Sequence, residues 1–172
     1  MEKPTNKEIT IKPIGSYFET DAEGYVINPT SKEKIQENWK AVIDDLIELY
    51  KKTYGDKLKS VYIRGSVAKG EAVDGVSDLD SFAYVDLSKE EMRENKSYKE
   101  GVKEIEEKYP FVEGVEFEGC PLEAAKDDAV LLNQSLCVYG EPEQHPKLKP
   151  GKEMAIHAPT FHNRFKWFKE FS

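Results

Sequence analysis

Two short stretches near the middle of the chain carry residue types that suit phosphate chemistry. The first spans residues 64–70, reads Arg-Gly-Ser-Val-Ala-Lys-Gly and follows an apolar run. A glycine at the end of a strand lets backbone N–H groups approach an anion, and the start of a helix adds partial positive charge there. Gly65 and Ser66 are therefore the predicted phosphate-binding residues.

The second stretch, Ser77-Asp78-Leu79-Asp80, places two carboxylates at the opening of an apolar run that continues to Val85. Residues i and i+2 of a strand project from the same face, so Asp78 and Asp80 are expected to point the same way. Carboxylates held this close repel one another unless a cation lies between them. Magnesium prefers hard oxygen ligands and is commonly held by carboxylates together with substrate phosphates. The spacing therefore indicates phosphoryl or nucleotidyl transfer.

Together, the two stretches resemble the signature of nucleotidyltransferases of the DNA polymerase β superfamily. That signature is an apolar strand, Gly-Ser, a short helix and then Asp-x-Asp on the next strand, and residues 61–80 match it in order and spacing. The family's third acid lies between apolar residues on a later strand, and Glu116, between Val115 and Phe117, matches it. The resemblance covers about residues 30–141 and is closest in character to stand-alone bacterial-type domains.

The resemblance implies a role for each matched residue. Gly65 and Ser66 would hold the β- and γ-phosphates of a nucleoside triphosphate, with ATP the expected one. Asp78, Asp80 and Glu116 would bind two Mg²⁺ ions. Glu116 would also help to deprotonate an acceptor hydroxyl, which attacks the α-phosphorus and releases pyrophosphate.

Three functions are compatible with such a site. The favoured one is transfer of a nucleoside monophosphate to a small-molecule acceptor such as an aminoglycoside-like compound. The second is a minimal-nucleotidyltransferase antitoxin that acts on a partner protein. The third is a nucleotide-binding relative without turnover.

Two glutamates compete for the place of the third acid, Glu116 and Glu118. If Val115 and Phe117 face the core, both glutamates share the opposite face of the strand. Glu116 has apolar neighbours on both sides, whereas Glu118 precedes Gly119, where the strand is expected to end. Glu116 is therefore the predicted ligand, although a slip of one residue in register would change the assignment.

Composition and charge argue against several other classes of protein. The chain has 172 residues, 38% of them hydrophobic and 34% charged, which is typical of one globular domain with a well-solvated surface. No apolar run approaches the roughly 18 residues that a membrane span needs, and the N-terminus lacks a signal-peptide core, so a cytoplasmic protein is expected. The net charge of −8 argues against nucleic acid as a partner, but not against a nucleotide bound with magnesium.

The periodicity of apolar residues predicts an α/β fold, with a mixed, twisted sheet flanked by helices as in the polymerase β-like nucleotidyltransferases. Residues 1–29 are interpreted as an N-terminal hairpin extension and residues 30–141 as the catalytic domain. Residues 142–172 are interpreted as a linker and a C-terminal helix, for which the resemblance implies the start of an acceptor-binding helical region. The aromatic face of that helix suggests docking on its own domain, on a second copy or on a helical partner protein.

Local signals also predict individual elements. Thr30 and Glu33 form a capping-box pattern that predicts a helix ending at about Tyr54. The other predicted elements are a hairpin at 17–27, strands at 60–63, 79–85 and 136–140, a helical segment at 88–108 interrupted at 95–101, and a helix from 121 to 132.

Overall fold

The computed structural model describes residues 18–151 of the chain. The predicted C-terminal helix lies outside these residues. The helices and strands of the described part are α1 (Glu37–Tyr54), β1 (Leu58–Ile63), α2 (Gly65–Lys69), β2 (Ser81–Val85), α3 (Lys89–Glu94), α4 (Tyr98–Lys108), β3 (Glu118–Pro121), α5 (Ala129–Leu132) and β4 (Leu136–Gly140).

The four strands form one mixed sheet in the order β3-β2-β1-β4. Strands β2 and β3 run parallel, whereas β1 is antiparallel to both β2 and β4. The α/β fold with a mixed sheet and flanking helices, predicted from the sequence, is therefore confirmed. No helix in the described part of the chain is long and apolar enough to cross a lipid bilayer.

Alternating side chains of the central strands build two separate cores on the two faces of the sheet. Val61 and Ala83 lie in the larger core, together with the buried face of α1. Tyr62, Phe82 and Tyr84 form the smaller core on the opposite face, beneath the segment that contains α5. Because both faces are covered, the central strands are apolar almost throughout rather than alternating with polar residues.

Helix α1 begins later than the capping-box pattern predicts. The Thr30 hydroxyl donates to Asn28 Oδ1 at 2.8 Å and so does not cap a helix. A separate 3₁₀ turn at Lys32–Lys34 follows, and α1 starts at Glu37. The prediction of a capping box was wrong because a local side-chain hydrogen bond competes for the same hydroxyl.

The predicted helical segments at 88–108 and 121–132 each form two separate elements. The interruption predicted within residues 88–108 is confirmed, and it falls where Asn95 Oδ1 accepts from the Ser97 N–H and hydroxyl. The predicted helix from 121 to 132 was wrong as a single element. Pro121 ends β3, a 3₁₀ turn follows at Leu122–Lys126, and α5 is a separate short helix.

The segments before and after the central domain are hydrogen-bonded to it. Asn28 Nδ2 donates to the Ser135 carbonyl at 2.9 Å. Residues 141–149, which we term the C-terminal arm, meet the N-terminal segment where the Val26 N–H donates to the Leu148 carbonyl at 2.8 Å. The predicted division at residues 29 and 141 stays a prediction, and the described parts of both flanking segments pack with the central domain.

Candidate active site

The turn between β1 and α2 brings the glycine of the first motif against an aspartate of the second. The Arg64 N–H donates to the Asp80 carbonyl at 3.1 Å, which joins the end of β1 to the start of β2. Gly65 follows with a φ of +71°, and a Cβ added there would lie 2.3 Å from Asp80 Oδ2. Only glycine adopts this conformation readily and leaves space for the carboxylate. The next residue, Ser66, is half-buried and is the second residue of α2.

The parallel register of β2 and β3 places the third acid next to the second. Phe82 pairs with Glu118, and the same register extends back to a bridge between Leu79 and Val115. Asp80 and Glu116 therefore lie side by side on the neighbouring segments. Val115 packs against the larger core, as the sequence predicts, so the Glu116 side chain projects from the opposite face.

A buried hydroxyl network fixes the backbone that carries Glu116. The Tyr50 hydroxyl lies 2.9 Å from Ser81 Oγ and accepts from the Glu118 N–H at 3.1 Å. Ser81 Oγ in turn donates to the Glu116 carbonyl. The Tyr50 ring stacks on Phe117 with a centroid distance of 3.9 Å. Sequence reasoning missed the roles of Tyr50 and Ser81, although a serine inside an otherwise apolar strand is a signal of a buried polar contact.

A guanidinium lies between the acids. Arg64 Nη2 is 2.9 Å from Glu116 Oε2 and 3.5 Å from Asp80 Oδ1. Burial would lower the pKa of Arg64, but the hydrogen bond to Glu116 and the charge of Asp80 raise it above its usual value. The guanidinium is therefore a permanent positive charge at this position.

The environment of Asp80 disfavours its ionised form. Burial and a hydrogen bond with Glu116 raise the pKa of Asp80 to about 6. The charge of Arg64 opposes this shift, and the negative charge of Asp78 adds to it. Such a carboxylate is stabilised when further positive charge enters its surroundings.

Asp78 stands somewhat apart from the other two acids. It is exposed, and its side chain makes no hydrogen bond or ion pair with the residues described. The intervening Leu79 is fully buried, so Asp78 and Asp80 lie on the other face of this segment. Asp78 is thus near enough to influence Asp80 electrostatically without touching it.

The structure also bears on the choice between Glu116 and Glu118. Glu116 contacts Arg64 and lies beside Asp80, whereas Glu118 pairs with Phe82 further along β2 and donates its backbone N–H to the Tyr50 hydroxyl. The expectation that the strand ends near Gly119 was wrong, because β3 begins at Glu118 and ends at Pro121. Glu116 itself precedes the strand.

The donor atoms suit magnesium, but the side chains are not arranged as a closed metal cage. Within residues 18–151, no group of three His, Cys, Asp or Glu side chains is positioned to hold a metal ion. The carboxylates of Asp80 and Glu116 are hard oxygen donors in contact with one cation, the Arg64 guanidinium. Carboxylates are the type of donor that Mg²⁺ prefers, so Asp80 and Glu116 fit a divalent cation in donor chemistry.

Two concavities of the described surface lie away from these acids. One cleft of about 290 Å³ lies between α1 and α4, and another of about 550 Å³ lies at the far ends of β2 and β3. Neither is lined by the acids described above. The candidate site is instead open at the end of the sheet where β1 finishes and β2 begins.

Comparison with known proteins gives distant structural likenesses. A crystal structure of a toxin–antitoxin with AMP-PNP is 15% identical to the chain, and that of a mutant MntA-HpeT toxin–antitoxin is 14% identical. Each likeness covers 74% of this chain and 90% of the other, with a TM-score of 0.40. No family model and no curated protein matches the chain. With likenesses this distant, function has to be inferred from the residues of the site.

Proposed function

We propose that the protein is a magnesium-dependent nucleotidyltransferase that moves a nucleoside monophosphate from a nucleoside triphosphate to an acceptor hydroxyl. The observation that supports this most directly is the side-by-side placement of Asp80 and Glu116 against Gly65. One carboxylate pair and one glycine turn, drawn from three separate stretches of sequence, meet at a single point. This is the combination that the motif resemblance requires.

Each residue has a defined part in this proposal. Gly65 and Ser66 bind the triphosphate tail through the backbone at the start of α2. Asp78, Asp80 and Glu116 would hold the Mg²⁺, which when bound supplies positive charge against the phosphates. Positioning and charge neutralisation provide most of the acceleration of such reactions.

In this proposal Glu116 also takes the proton of the acceptor. It is 44% exposed, so an incoming hydroxyl can reach it from solvent. As the proton moves to Glu116, the acceptor oxygen forms a bond to the α-phosphorus and the bond to pyrophosphate breaks. A small-molecule acceptor such as an aminoglycoside-like compound stays a prediction, and modification of a partner protein is the alternative.

The test combines ligand binding with turnover. Thermal unfolding of the full chain with each nucleoside triphosphate, with and without Mg²⁺, should show a Mg²⁺-dependent rise in Tm, because ligands that bind the native state stabilise it. Pyrophosphate release should then depend on an added aminocyclitol or other hydroxyl acceptor. The double variant Asp78→Asn with Asp80→Asn should lose both effects.

A matched control is available on the same strand. Asp86 lies exposed just beyond the opposite end of β2, so Asp86→Asn removes one carboxylate charge, against two in the double variant, far from the site and should keep both effects. Retained turnover in the double variant would refute the mechanism. A triphosphate that binds without pyrophosphate release for any acceptor would identify a binding module instead.

A further inference from the structure

The Arg64 guanidinium lies against the carboxylates that would hold a metal ion. It contacts oxygens of both Asp80 and Glu116. A carboxylate lone pair that accepts from an arginine N–H is not free for a metal ion. Arg64 and a metal ion therefore compete for Glu116 Oε2, which accepts from the guanidinium at 2.9 Å, and their like charges oppose each other beside Asp80 Oδ1.

The location of Arg64 is imposed by the backbone. It is the last residue before α2, and its N–H donates to the Asp80 carbonyl, so the side chain starts next to its partner. The side chains of Arg64 and Asp80 are each only 27% exposed. Water and salt screen such a pair less than a fully exposed one, so the interaction is stronger than that of an ordinary surface ion pair.

Resting on the proposed function, we propose that Arg64 is a positioning residue with two effects. In the metal-free protein it holds Asp80 and Glu116 together and offsets their charge. It thereby lowers the affinity of the site for a divalent cation, which must displace the guanidinium from Glu116. Arg64 then lies beside Gly65 and Ser66, where a planar guanidinium is well suited to contact a phosphate oxygen.

Binding of Mn²⁺ to the full chain tests this without any turnover. Free Mn²⁺ is measured by its electron paramagnetic resonance signal, and isothermal titration calorimetry gives the affinity, both in the absence of nucleotide. Arg64→Gln should bind Mn²⁺ about fivefold more tightly than the wild type, the change expected from removing a partly screened charge of this kind. Adding Asp80→Asn to Arg64→Gln should abolish that gain.

A charge-matched control separates competition from a general electrostatic effect. Lys59 lies on the same strand and is 3.8 Å from Asp86, far from the site. Lys59→Gln changes the net charge by the same amount and should leave Mn²⁺ affinity within about twofold of the wild type. An equal gain in Lys59→Gln and Arg64→Gln would overturn the inference.

The remaining outcomes distinguish the inference from the proposed function. If the wild type binds Mn²⁺ and Arg64→Gln binds it equally or more weakly, only the inference fails. If neither protein binds Mn²⁺, the metal site and the inference fail together. If near-ultraviolet circular dichroism shows that Arg64→Gln is not folded, Arg64→Lys decides the question. A single ammonium bridges the two carboxylates less well than a guanidinium, so tighter binding supports competition and equal or weaker binding overturns it.

Discussion

Removal of one hydroxyl, in Tyr50→Phe, tests whether the buried network positions the third acid. Tyr50 is fully buried, and its hydroxyl joins Ser81 Oγ at 2.9 Å, the Glu118 N–H at 3.1 Å and the Glu118 carbonyl at 3.3 Å. The phenylalanine ring would keep the stacking on Phe117. The variant therefore isolates the hydrogen bonds from the packing.

The expected cost follows from the partners left behind. A neutral hydrogen bond contributes about 1 kcal/mol, and a buried group left without a partner costs more. Tyr50→Phe removes two well-formed hydrogen bonds, at 2.9 and 3.1 Å, and a longer one at 3.3 Å. The variant should therefore lower the free energy of unfolding by about 2 kcal/mol. For a chain of this size, Tm should fall by about 4–8 °C.

Tyr54→Phe is a matched control on the same helix. Tyr54 is also buried and stacks on Phe117, but among the described residues its hydroxyl has no hydrogen bond. This variant should change the free energy of unfolding by less than about 0.5 kcal/mol. Urea unfolding followed by far-ultraviolet circular dichroism measures both variants. Equal effects in the two would show that the hydroxyl network of Tyr50 does not hold the strand in place.

Two further predictions concern the site itself. Gly65→Ala should lower the free energy of unfolding by about 1–2 kcal/mol because of the positive φ at this position. The added Cβ should also displace the Asp80 carboxylate, so that the Mg²⁺-dependent thermal shift with nucleotide is lost. Gly75→Ala is the control, since it has a similar φ but nothing within 4 Å of an added Cβ, and it should keep that shift. The pKa of Asp80 is raised to about 6, above its value in the unfolded chain, so between pH 6 and 4 the native state binds a proton that the unfolded state does not. The free energy of unfolding of the wild type should therefore increase as pH falls through 6 towards 4. Asp80→Asn should be more stable than the wild type at pH 7.5 in metal-free urea unfolding, with the difference shrinking towards pH 4; a constant difference would contradict the raised pKa.

Local spacing was sufficient to predict the two motifs and the strands that carry them. Gly65 and Asp80 lie at the junctions where an apolar run meets a turn, and such junctions depend on neighbours in sequence. The α/β class followed from the same alternation of apolar runs and helical periods. These features need no knowledge of long-range contacts.

Other features depend on contacts between distant segments. Glu116 was predicted from its neighbours in sequence, but its position beside Asp80 depends on the pairing of Leu79 with Val115, a register that no local pattern specifies. Tyr50 falls within the apolar stripe of α1, so its hydroxyl partners were hidden by its role in the core. Arg64 directly follows β1, whereas its partners Asp80 and Glu116 belong to other segments that the fold brings next to it.

The hydrogen bond between Val26 and Leu148 joins segments from nearly opposite ends of the described chain. Closing so long a loop carries a large entropic penalty, so this contact is expected to form late in folding. The C-terminal arm makes few hydrogen bonds with the sheet. In one of them, the Glu143 N–H donates to the Tyr62 hydroxyl. Hydrogen exchange should therefore detect the arm opening as a sub-global unit while the central strands remain protected, which would leave the end of the sheet at Asp80 undisturbed.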